Sequence, residues 1–265
     1  KSDEIITEGV PWETTITFEN SYFSDMDEII KKINFCNNNK KWYTDHGIPY
    51  NMGILLYGKP GCGKTRFIKM LMNHTKRHGI DIKLNDNMDF TKLKNIIYSD
   101  KIGENYNIPQ EKRIIIFEDI DCMSKVVKDR DIKNDNDNDN ENNILESIFE
   151  LQKTNSSSNK KKNNFYNKYN EKKNNNFYYL LNILDGLNEC SGRIIIMTTN
   201  KIDTLDEALI RPGRIDIKIE FKKCTYYDVY NMIKIFWKDS VTDITKDMIR
   251  KDLDDKYTSA EIINI

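Results

Sequence analysis

The sequence has no Cys-x-x-Cys motif and no cluster of residues typical of a metal site. Its five cysteines are odd in number and include no Cys-x-x-Cys pair, which favours free thiols in a reducing intracellular compartment over a disulfide framework. His74 and His78 are four residues apart, but no Glu follows His74 and no third ligand lies nearby. A zinc site is therefore not predicted.

The chain also has no excess of positive charge and no long apolar run. Its 41 Lys and Arg balance 42 Asp and Glu, for a net charge of -1, whereas nucleic-acid-binding domains normally carry a basic excess. No apolar stretch approaches the roughly 20 residues that span a membrane, and no signal peptide is recognisable. Because the sequence begins at Lys1 rather than Met, we expect a fragment, with any membrane attachment made through a segment absent from this chain.

Short apolar runs alternate with amphipathic segments along the chain. This alternation favours an α/β fold with a parallel sheet, whose ligands lie at the carboxyl ends of the strands. Ser24, followed by Asp27, is predicted to cap the first helix. Strands are predicted at 14–18, 53–57, 80–84, 113–118, 193–198 and 215–221, and helices at 25–37, 89–98, 177–187 and directly after the Gly-rich turn near residue 60.

Composition divides the chain into three parts. Residues 124–176 are rich in Asn, Asp, Lys and Ser and cannot bury enough apolar surface to order themselves, so they are predicted to form a surface insertion. From Thr225 onward the pattern is helical. The predicted organisation is an N-terminal linker and helix (1–45), an α/β core (46–224) that carries the insertion, and part of a C-terminal helical lid (225–265).

The most specific motif lies between a predicted strand and a predicted helix. Residues 58–65 have the G-x-x-x-x-G-K-T pattern of a phosphate-binding loop. Glycines let the backbone wrap closely around phosphates, and backbone N–H groups at a helix N-terminus face the negative charge. The lysine reaches the β and γ phosphates, and the Thr hydroxyl is a ligand for Mg²⁺. The predicted binding residues are Gly58, Lys59, Pro60, Gly61, Cys62, Gly63, Lys64, Thr65 and Arg66.

Two carboxylates follow the apolar run at 114–117. Glu118 and Asp119 lie at the end of a predicted buried strand, where successive side chains point in opposite directions. One can hold magnesium while the other orients a water for attack on phosphate. An acidic pair at a strand end is common on its own, so this interpretation depends on the phosphate-binding loop. Asp121 is interpreted as a cap or turn residue.

Polar residues also follow the strand predicted at 193–198. Asn200 is a candidate for contacting the attacking water or the γ-phosphate, although an Asn after a strand is usually a turn residue. Arg211 and Arg214 flank a Pro-Gly turn, and each can hold phosphate oxygens with two hydrogen bonds. When those four residues are taken alone, a solvated basic turn explains them better than a phosphate contact does.

Together these segments resemble the AAA ATPases over about residues 14–123 and 177–238. The resemblance rests on the Gly-Lys-Pro-Gly-Cys-Gly-Lys-Thr segment, on Glu-Asp-Ile-Asp at 118–121 and on the segment from Met197 to Asp216. It departs from the family at Lys59, where Pro is usual, and at the insertion. The implied fold is a P-loop NTPase with a five-stranded parallel sheet flanked by helices, followed by the start of a helical lid.

The resemblance also implies roles for particular residues. Thr65 and Glu118 would hold magnesium, Asp119 would polarise the water and Asn200 would be the first sensor. The remaining implied contacts are those of Arg211 and Arg214 with a neighbouring subunit's nucleotide, and those of Asp45, Gly47 and Ile48 with the adenine.

Finer features resemble the Bcs-type subgroup, the mitochondrial inner-membrane chaperones that translocate the Rieske iron–sulfur protein. They are the segments 41–50 and 180–187 and the order Glu118–Asp119, which most AAA proteins reverse. The resemblance implies ATP and Mg²⁺ as cofactors, a hexameric or heptameric ring and a protein client. Two other functions stay open, namely a nucleic-acid motor or loader on the same core and a nucleotide-dependent scaffold without turnover.

Overall fold

A computed structural model describes residues 9–10, 12–84, 89–102, 106–123, 178–185, 189–237 and 253–264. The insertion predicted at 124–176 lies outside these ranges, as does the end of the helix predicted at 177–187. Within the described ranges, no helix has both the length and the apolar character needed to cross a bilayer.

The strands in the described ranges are β1 (Asn51–Gly58), β2 (His78–Asp81), β3 (Lys101–Ile102), β4 (Tyr106–Asn107), β5 (Arg113–Phe117), β6 (Arg193–Thr199) and β7 (Ile217–Phe221). Five of them form one parallel sheet, in the order β2-β5-β6-β1-β7. The predicted five-stranded parallel sheet is thereby confirmed. The other two, β3 and β4, form a separate antiparallel pair.

Helices cover both faces of the sheet. Because side chains alternate along a strand, Ile54 of β1 joins an apolar cluster on one face and Leu55 joins a second cluster on the other. Residues 178–184 are also helical. The helices are α1 (Met26–Asn38), α2 (Lys40–Asp45), α3 (Lys64–Thr75), α4 (Phe90–Tyr98), α5 (Ile120–Met123), α6 (Glu207–Ile210), α7 (Tyr226–Phe236) and α8 (Ser259–Ile263).

The segment 14–18 is not a strand, so that prediction is wrong. The N–H of Thr17 donates to the Asn20 side chain at 2.8 Å instead of to a neighbouring strand. Phe18 is nevertheless buried in the apolar cluster that contains Ile54 and residues of α3, and Ile16 packs against that cluster. The alternation of apolar residues therefore reflected burial on one side, without a sheet edge for the segment to join.

The predicted cap of α1 is also wrong. Asp25 occupies the capping position with a φ of 62° and makes no side-chain capping bond. The hydroxyl of Ser24 donates instead to Asp228 Oδ1 at 3.0 Å. Asp228 belongs to the capping box at the start of α7, so Ser24 connects the N-terminal segment to the C-terminal helices.

Buried arginines at the start of two central strands cap helices. Arg113, at the start of β5, is 1% exposed. Its guanidinium donates to the carbonyls of Ile97 and Ser99 at the end of α4, both at 2.8 Å. Arg193, at the start of β6, donates in the same way to Ile183 and Leu184. Positive charge at a helix C-terminus satisfies its last carbonyls and complements the helix dipole.

Replacing Arg113 with methionine is expected to lower the free energy of unfolding by about 2–4 kcal/mol. The change removes two charge-assisted hydrogen bonds. The Ser99 carbonyl loses its Arg113 donor, whereas the Ile97 carbonyl keeps the Gln110 side chain as a donor at 2.8 Å. Denaturant unfolding measures the loss. The matched control is Lys112→Met, which removes an exposed neighbouring cation and should stay within about 0.5 kcal/mol of the wild type. Equal stability of the two variants would contradict the capping role.

Candidate active site

A Gly-rich loop connects the carboxyl end of β1 to α3. Gly58 has a φ of 127° and Gly63 a φ of 105°, conformations that residues with a Cβ rarely adopt. A Cβ on Gly58 would also collide with the carbonyl of Phe221 in β7. The loop can therefore follow this path only with glycine at these positions, and it leads directly into the N-terminus of α3 at Lys64.

Lys64 lies inside this loop and is 8% exposed. Its ammonium donates to the carbonyls of Gly58 at 2.6 Å and Lys59 at 3.0 Å, and to Asn200 Oδ1 at 2.7 Å. Burial lowers the pKa of Lys64, and nearby acidic groups oppose that shift. The ammonium is thus held at the mouth of the loop by oxygen atoms from two strand ends.

Thr65 and Glu118 place two oxygen-bearing side chains beside Lys64. The Thr65 hydroxyl donates to Glu118 Oε1 at 2.9 Å. Among the described residues, no group of three or more His, Cys, Asp or Glu could hold a metal ion. One hydroxyl and one carboxylate fit Mg²⁺ instead, because this ion usually takes one or two protein ligands and completes its shell with phosphate oxygens and water.

Asp119 points away from this pair and toward Asn200. The Asn200 amide donates to Asp119 Oδ1 at 3.3 Å, while its oxygen accepts from Lys64. The two adjacent carboxylates therefore contact different partners, as expected for consecutive residues at a strand end. The structure brings Lys64, Thr65, Glu118, Asp119 and Asn200 together at the ends of three adjacent strands.

Sequence reasoning missed the part that Asp121 plays in this group. Asp121 is 9% exposed and accepts hydrogen bonds from the Thr199 hydroxyl at 2.8 Å and the Asn200 N–H at 3.1 Å. It is therefore more than a turn residue. The contact joins residues that are far apart in sequence, so only the Thr-Thr-Asn segment at the end of β6 gave a local signal.

The C-terminal segment closes one side of the loop. A cleft of about 460 Å³ has the loop and α3 on one side and α8 on the other. The Gly61 carbonyl accepts from the Ala260 N–H at 3.3 Å and from the Ser259 hydroxyl at 3.4 Å. Residues lining the cleft are Pro60, Gly61, Gly63, Lys64, Thr65, Arg66, Asp119, Asn200, Ser259, Ala260, Ile263 and Asn264.

Two other predicted binding residues have contacts away from the mouth of the loop. Cys62 is 5% exposed and packs in the apolar cluster of α1 and α3. Arg66 lines the cleft, but its guanidinium donates to the Ser21 hydroxyl at 3.1 Å and the Asn20 carbonyl at 3.3 Å. Arg66 thus connects α3 to the N-terminal segment.

Asp45, Gly47 and Ile48 are not brought to the loop. Asp45 ends α2, and Gly47 and Ile48 precede β1, so the whole of that strand separates them from Gly58. At about 3.3 Å per residue, the length of β1 separates them from the loop by about 20 Å, so they lie at the amino ends of the strands and the loop lies at the carboxyl ends. The predicted adenine contact of these three residues therefore does not agree with the fold.

The two predicted arginines differ in exposure. The Arg211 side chain is 56% exposed and lies 3.2 Å from Asp185 Oδ2. The Arg214 side chain is only 7% exposed. Its Nη1 donates to the Ala208 carbonyl, and its Nε lies 3.5 Å from the same Asp185 oxygen. Arg211 is therefore accessible at the surface, whereas Arg214 is packed within the chain.

Comparison with known families agrees with this geometry. Residues 54–223 match the family described as "ATPase family associated with various cellular activities (AAA)". The chain belongs to the AAA ATPase family. The matched segment extends from β1 to just beyond β7, so it contains the loop, both carboxylates, Asn200 and the two arginines.

The chain is also similar to several curated AAA proteins. It is 29% identical to human "Mitochondrial chaperone BCS1" over 80% of this chain and 41% of the relative. It is 31% identical to "Mitochondrial chaperone BCS1" of Danio rerio over 75% of this chain and 38% of the relative. A protein of Acanthamoeba polyphaga mimivirus, named after the AAA family ATPases, is 33% identical over 74% of this chain and 89% of its own length.

These relatives confirm the predicted resemblance to the Bcs-type subgroup. The chain spans about two fifths of the length of the BCS1 chaperones that it matches. The similarity therefore covers the AAA domain of this chain and less than half of each chaperone.

Proposed function

We propose that this AAA ATPase domain hydrolyses ATP with magnesium, within a ring that acts on a protein client as a chaperone does. The observation that carries the proposal is the convergence of Lys64, Thr65, Glu118, Asp119 and Asn200 at the ends of β1, β5 and β6. An ammonium, a metal-binding pair and a carboxylate paired with an amide are the groups that phosphoryl transfer to water requires.

Each residue has a separate part in the proposed reaction. Lys64 and the backbone N–H groups of the loop hold the β and γ phosphates. Asp119 accepts a proton from the attacking water, whose oxygen forms a bond to the γ-phosphorus as the bond to the leaving oxygen breaks. Asn200 contacts both Lys64 and Asp119, so it lies between the phosphate-holding group and the proton acceptor.

Thr65 and Glu118 would hold Mg²⁺. When bound, the ion would neutralise charge on the β and γ phosphate oxygens. The pairing of Thr65 with Glu118 supports the assignment of the metal to Glu118 and of the water to Asp119. The first of the two carboxylates in the chain, Glu118, is thus assigned to the metal, and the second, Asp119, to the water.

The proposed ring rests on family membership and on the exposure of Arg211. An exposed guanidinium close to Asp185 can move to a phosphate on a neighbouring subunit at little cost, because a surface ion pair contributes only about 0–1 kcal/mol. Moving Arg214 would break more contacts, since its side chain is packed against its own chain. We propose Arg211 as the arginine that acts across the interface and Arg214 as the one that supports its turn.

ATP hydrolysis per subunit is expected to rise with protein concentration, because the site needs Arg211 of a neighbour. Arg211→Ala should lower the plateau rate by about 10³-fold, as arginines supplied in trans do, and leave ATP affinity and melting temperature close to the wild type. Arg214→Ala should instead lower the melting temperature. Steady-state rates at several protein concentrations and thermal unfolding measure these effects.

Lys201→Ala is a suitable control, because it removes an exposed cation from the loop that follows Asn200. Activity per subunit that is independent of concentration, together with full activity of Arg211→Ala, would show an ATPase that works within one subunit. Stimulation by DNA that is lost as salt rises would contradict the chaperone part of the proposal.

A further inference from the structure

Two threonines at the end of β6 connect that strand to the segment that follows β5. Thr198 and Thr199 are 2% and 0% exposed, and their side chains leave the strand in opposite directions. The Thr198 hydroxyl oxygen accepts from the backbone N–H of Asp119 at 2.8 Å. The Thr199 hydroxyl donates to Asp121 Oδ1 at 2.8 Å. Each hydroxyl thus connects β6 to a residue beyond the end of the neighbouring strand β5.

Asp119 needs such a contact because its backbone conformation is unfavourable. Its φ is 47°, in the left-handed region that costs a residue with a side chain on the order of 1–3 kcal/mol. The bond to Thr198 holds the N–H of Asp119 against β6. In this conformation the carboxylate of Asp119 accepts from the Asn200 amide, so the bond to Thr198 supports the direction in which the proposed proton acceptor points.

Asn200 is held through Asp121 in a comparable way. Asp121 Oδ1 accepts from the Asn200 N–H at 3.1 Å as well as from Thr199. A buried carboxylate is tolerated when donors satisfy it, and here the donors belong to two adjacent residues of one strand end. Asn200 is thereby placed where its side chain contacts Lys64 and Asp119.

We infer that Thr198, Thr199 and Asp121 are positioning residues for ATP hydrolysis. Thr198 fixes Asp119, and Thr199 with Asp121 fixes Asn200. The inference rests on the proposed function, because it concerns the orientation of two groups that the proposal assigns to the hydrolytic step. It adds that the ends of β5 and β6 act as one unit, in which hydroxyls at the end of β6 fix the positions of two residues just beyond the end of β5.

Thr198→Val tests the inference in the full chain, because valine keeps the shape of threonine and replaces the hydroxyl with a methyl group, which cannot accept a hydrogen bond. We expect kcat to fall by about 10- to 100-fold, since a small misplacement of a reacting group can cost about 10² in rate. KM and ATP affinity should change by less than about threefold, because the loop and Lys64 are untouched. Thr198→Ser restores the hydroxyl and should recover most of the lost rate.

The control removes a comparable hydroxyl away from the site. Thr75 donates to the Leu71 carbonyl at 2.8 Å near the end of α3, so Thr75→Val should keep the wild-type kcat. A double variant, Thr198→Val with Asp119→Asn, adds a second criterion. If Thr198 acts through Asp119, the two losses in kcat are not additive, and the double variant should resemble Asp119→Asn alone.

Three results would overturn the inference. They are a wild-type kcat in Thr198→Val, an equal loss in the valine and serine variants, and fully additive losses in the double variant. An inactive wild-type chain, at every concentration at which ATP binds, would be a different failure. It would contradict the proposed function itself, and the inference would be rejected with it.

Discussion

Asp119→Asn is expected to lower kcat for ATP hydrolysis by about 10²- to 10⁴-fold, the range that a general base contributes. Asparagine keeps the shape of the side chain and an oxygen that can accept from Asn200, as Asp119 Oδ1 does at 3.3 Å. It cannot accept the proton of the attacking water. ATP affinity should therefore stay close to the wild type, and single-turnover hydrolysis together with equilibrium ATP binding separates the two effects.

The neighbouring carboxylate provides a direct comparison. Glu118 pairs with Thr65 at 2.9 Å, so Glu118→Gln should mainly raise the Mg²⁺ concentration needed for half-maximal activity. Asp203→Asn is the matched control, since Asp203 is exposed in the turn that follows Asn200. If Glu118→Gln lost hydrolysis at saturating Mg²⁺ and Asp119→Asn changed only the metal dependence, the two roles would have to be exchanged.

The central strands could be predicted from the sequence because they are buried on both faces. The Ile runs in β5 and β6 are continuous apolar segments, as parallel sheets require, and the predicted strands agree with these two to within one residue. The edge strand β2 was harder to place. The prediction started this strand at residue 80, whereas it begins at His78. The error arises because a half-polar edge strand has no continuous apolar run to mark its ends.

Contacts between distant segments explain the predictions that were wrong. Ser24 has the sequence position of a helix cap, but its hydroxyl donates a hydrogen bond to Asp228, about two hundred residues later in the chain. Ile16 and Phe18 alternate like a strand because they pack against one face of the core. Neither outcome depends on local sequence, so local propensity and periodicity could not have indicated it.

The candidate site shows the same division. Lys64, Glu118 and Asn200 follow three buried strands, so the sequence places them at one edge of the sheet once the strands are parallel. Residues near the loop in sequence are a different case, because Gly47 lies only eleven positions before Gly58 yet at the other end of β1. Asp121 became recognisable only when β6 was placed beside β5.

The interface assignments depend on exposure, which the motif does not contain. Arg211 and Arg214 are equivalent in the Arg-Pro-Gly-Arg sequence. The fold separates them, because Arg214 reaches the carbonyl of Ala208 in α6 while Arg211 extends from the turn. Two identical side chains three residues apart thus receive different proposed roles.

Lys64→Ala is expected to reduce ATP affinity by at least about tenfold and to abolish measurable hydrolysis. The ammonium would make charge-assisted hydrogen bonds to phosphate, which contribute about 1.5–3 kcal/mol each. Its removal also leaves the carbonyls of Gly58 and Lys59 and the oxygen of Asn200 without the donor that holds them in the structure. The loop would then have to reorganise before it could surround a phosphate, which weakens binding further.

The rise in melting temperature on addition of Mg·ATP measures this loss, because a ligand that binds only the folded state stabilises it by an amount that grows with the logarithm of its concentration relative to Kd. The wild-type chain should show a rise that grows with ATP concentration, and Lys64→Ala should show a much smaller one. Lys69→Ala, on the same helix and only partly buried, should behave as the wild type. If Lys64→Ala kept the wild-type rise at every ATP concentration, the ammonium would not hold the phosphates, and the phosphate-binding role of the loop would have to rest on its backbone alone.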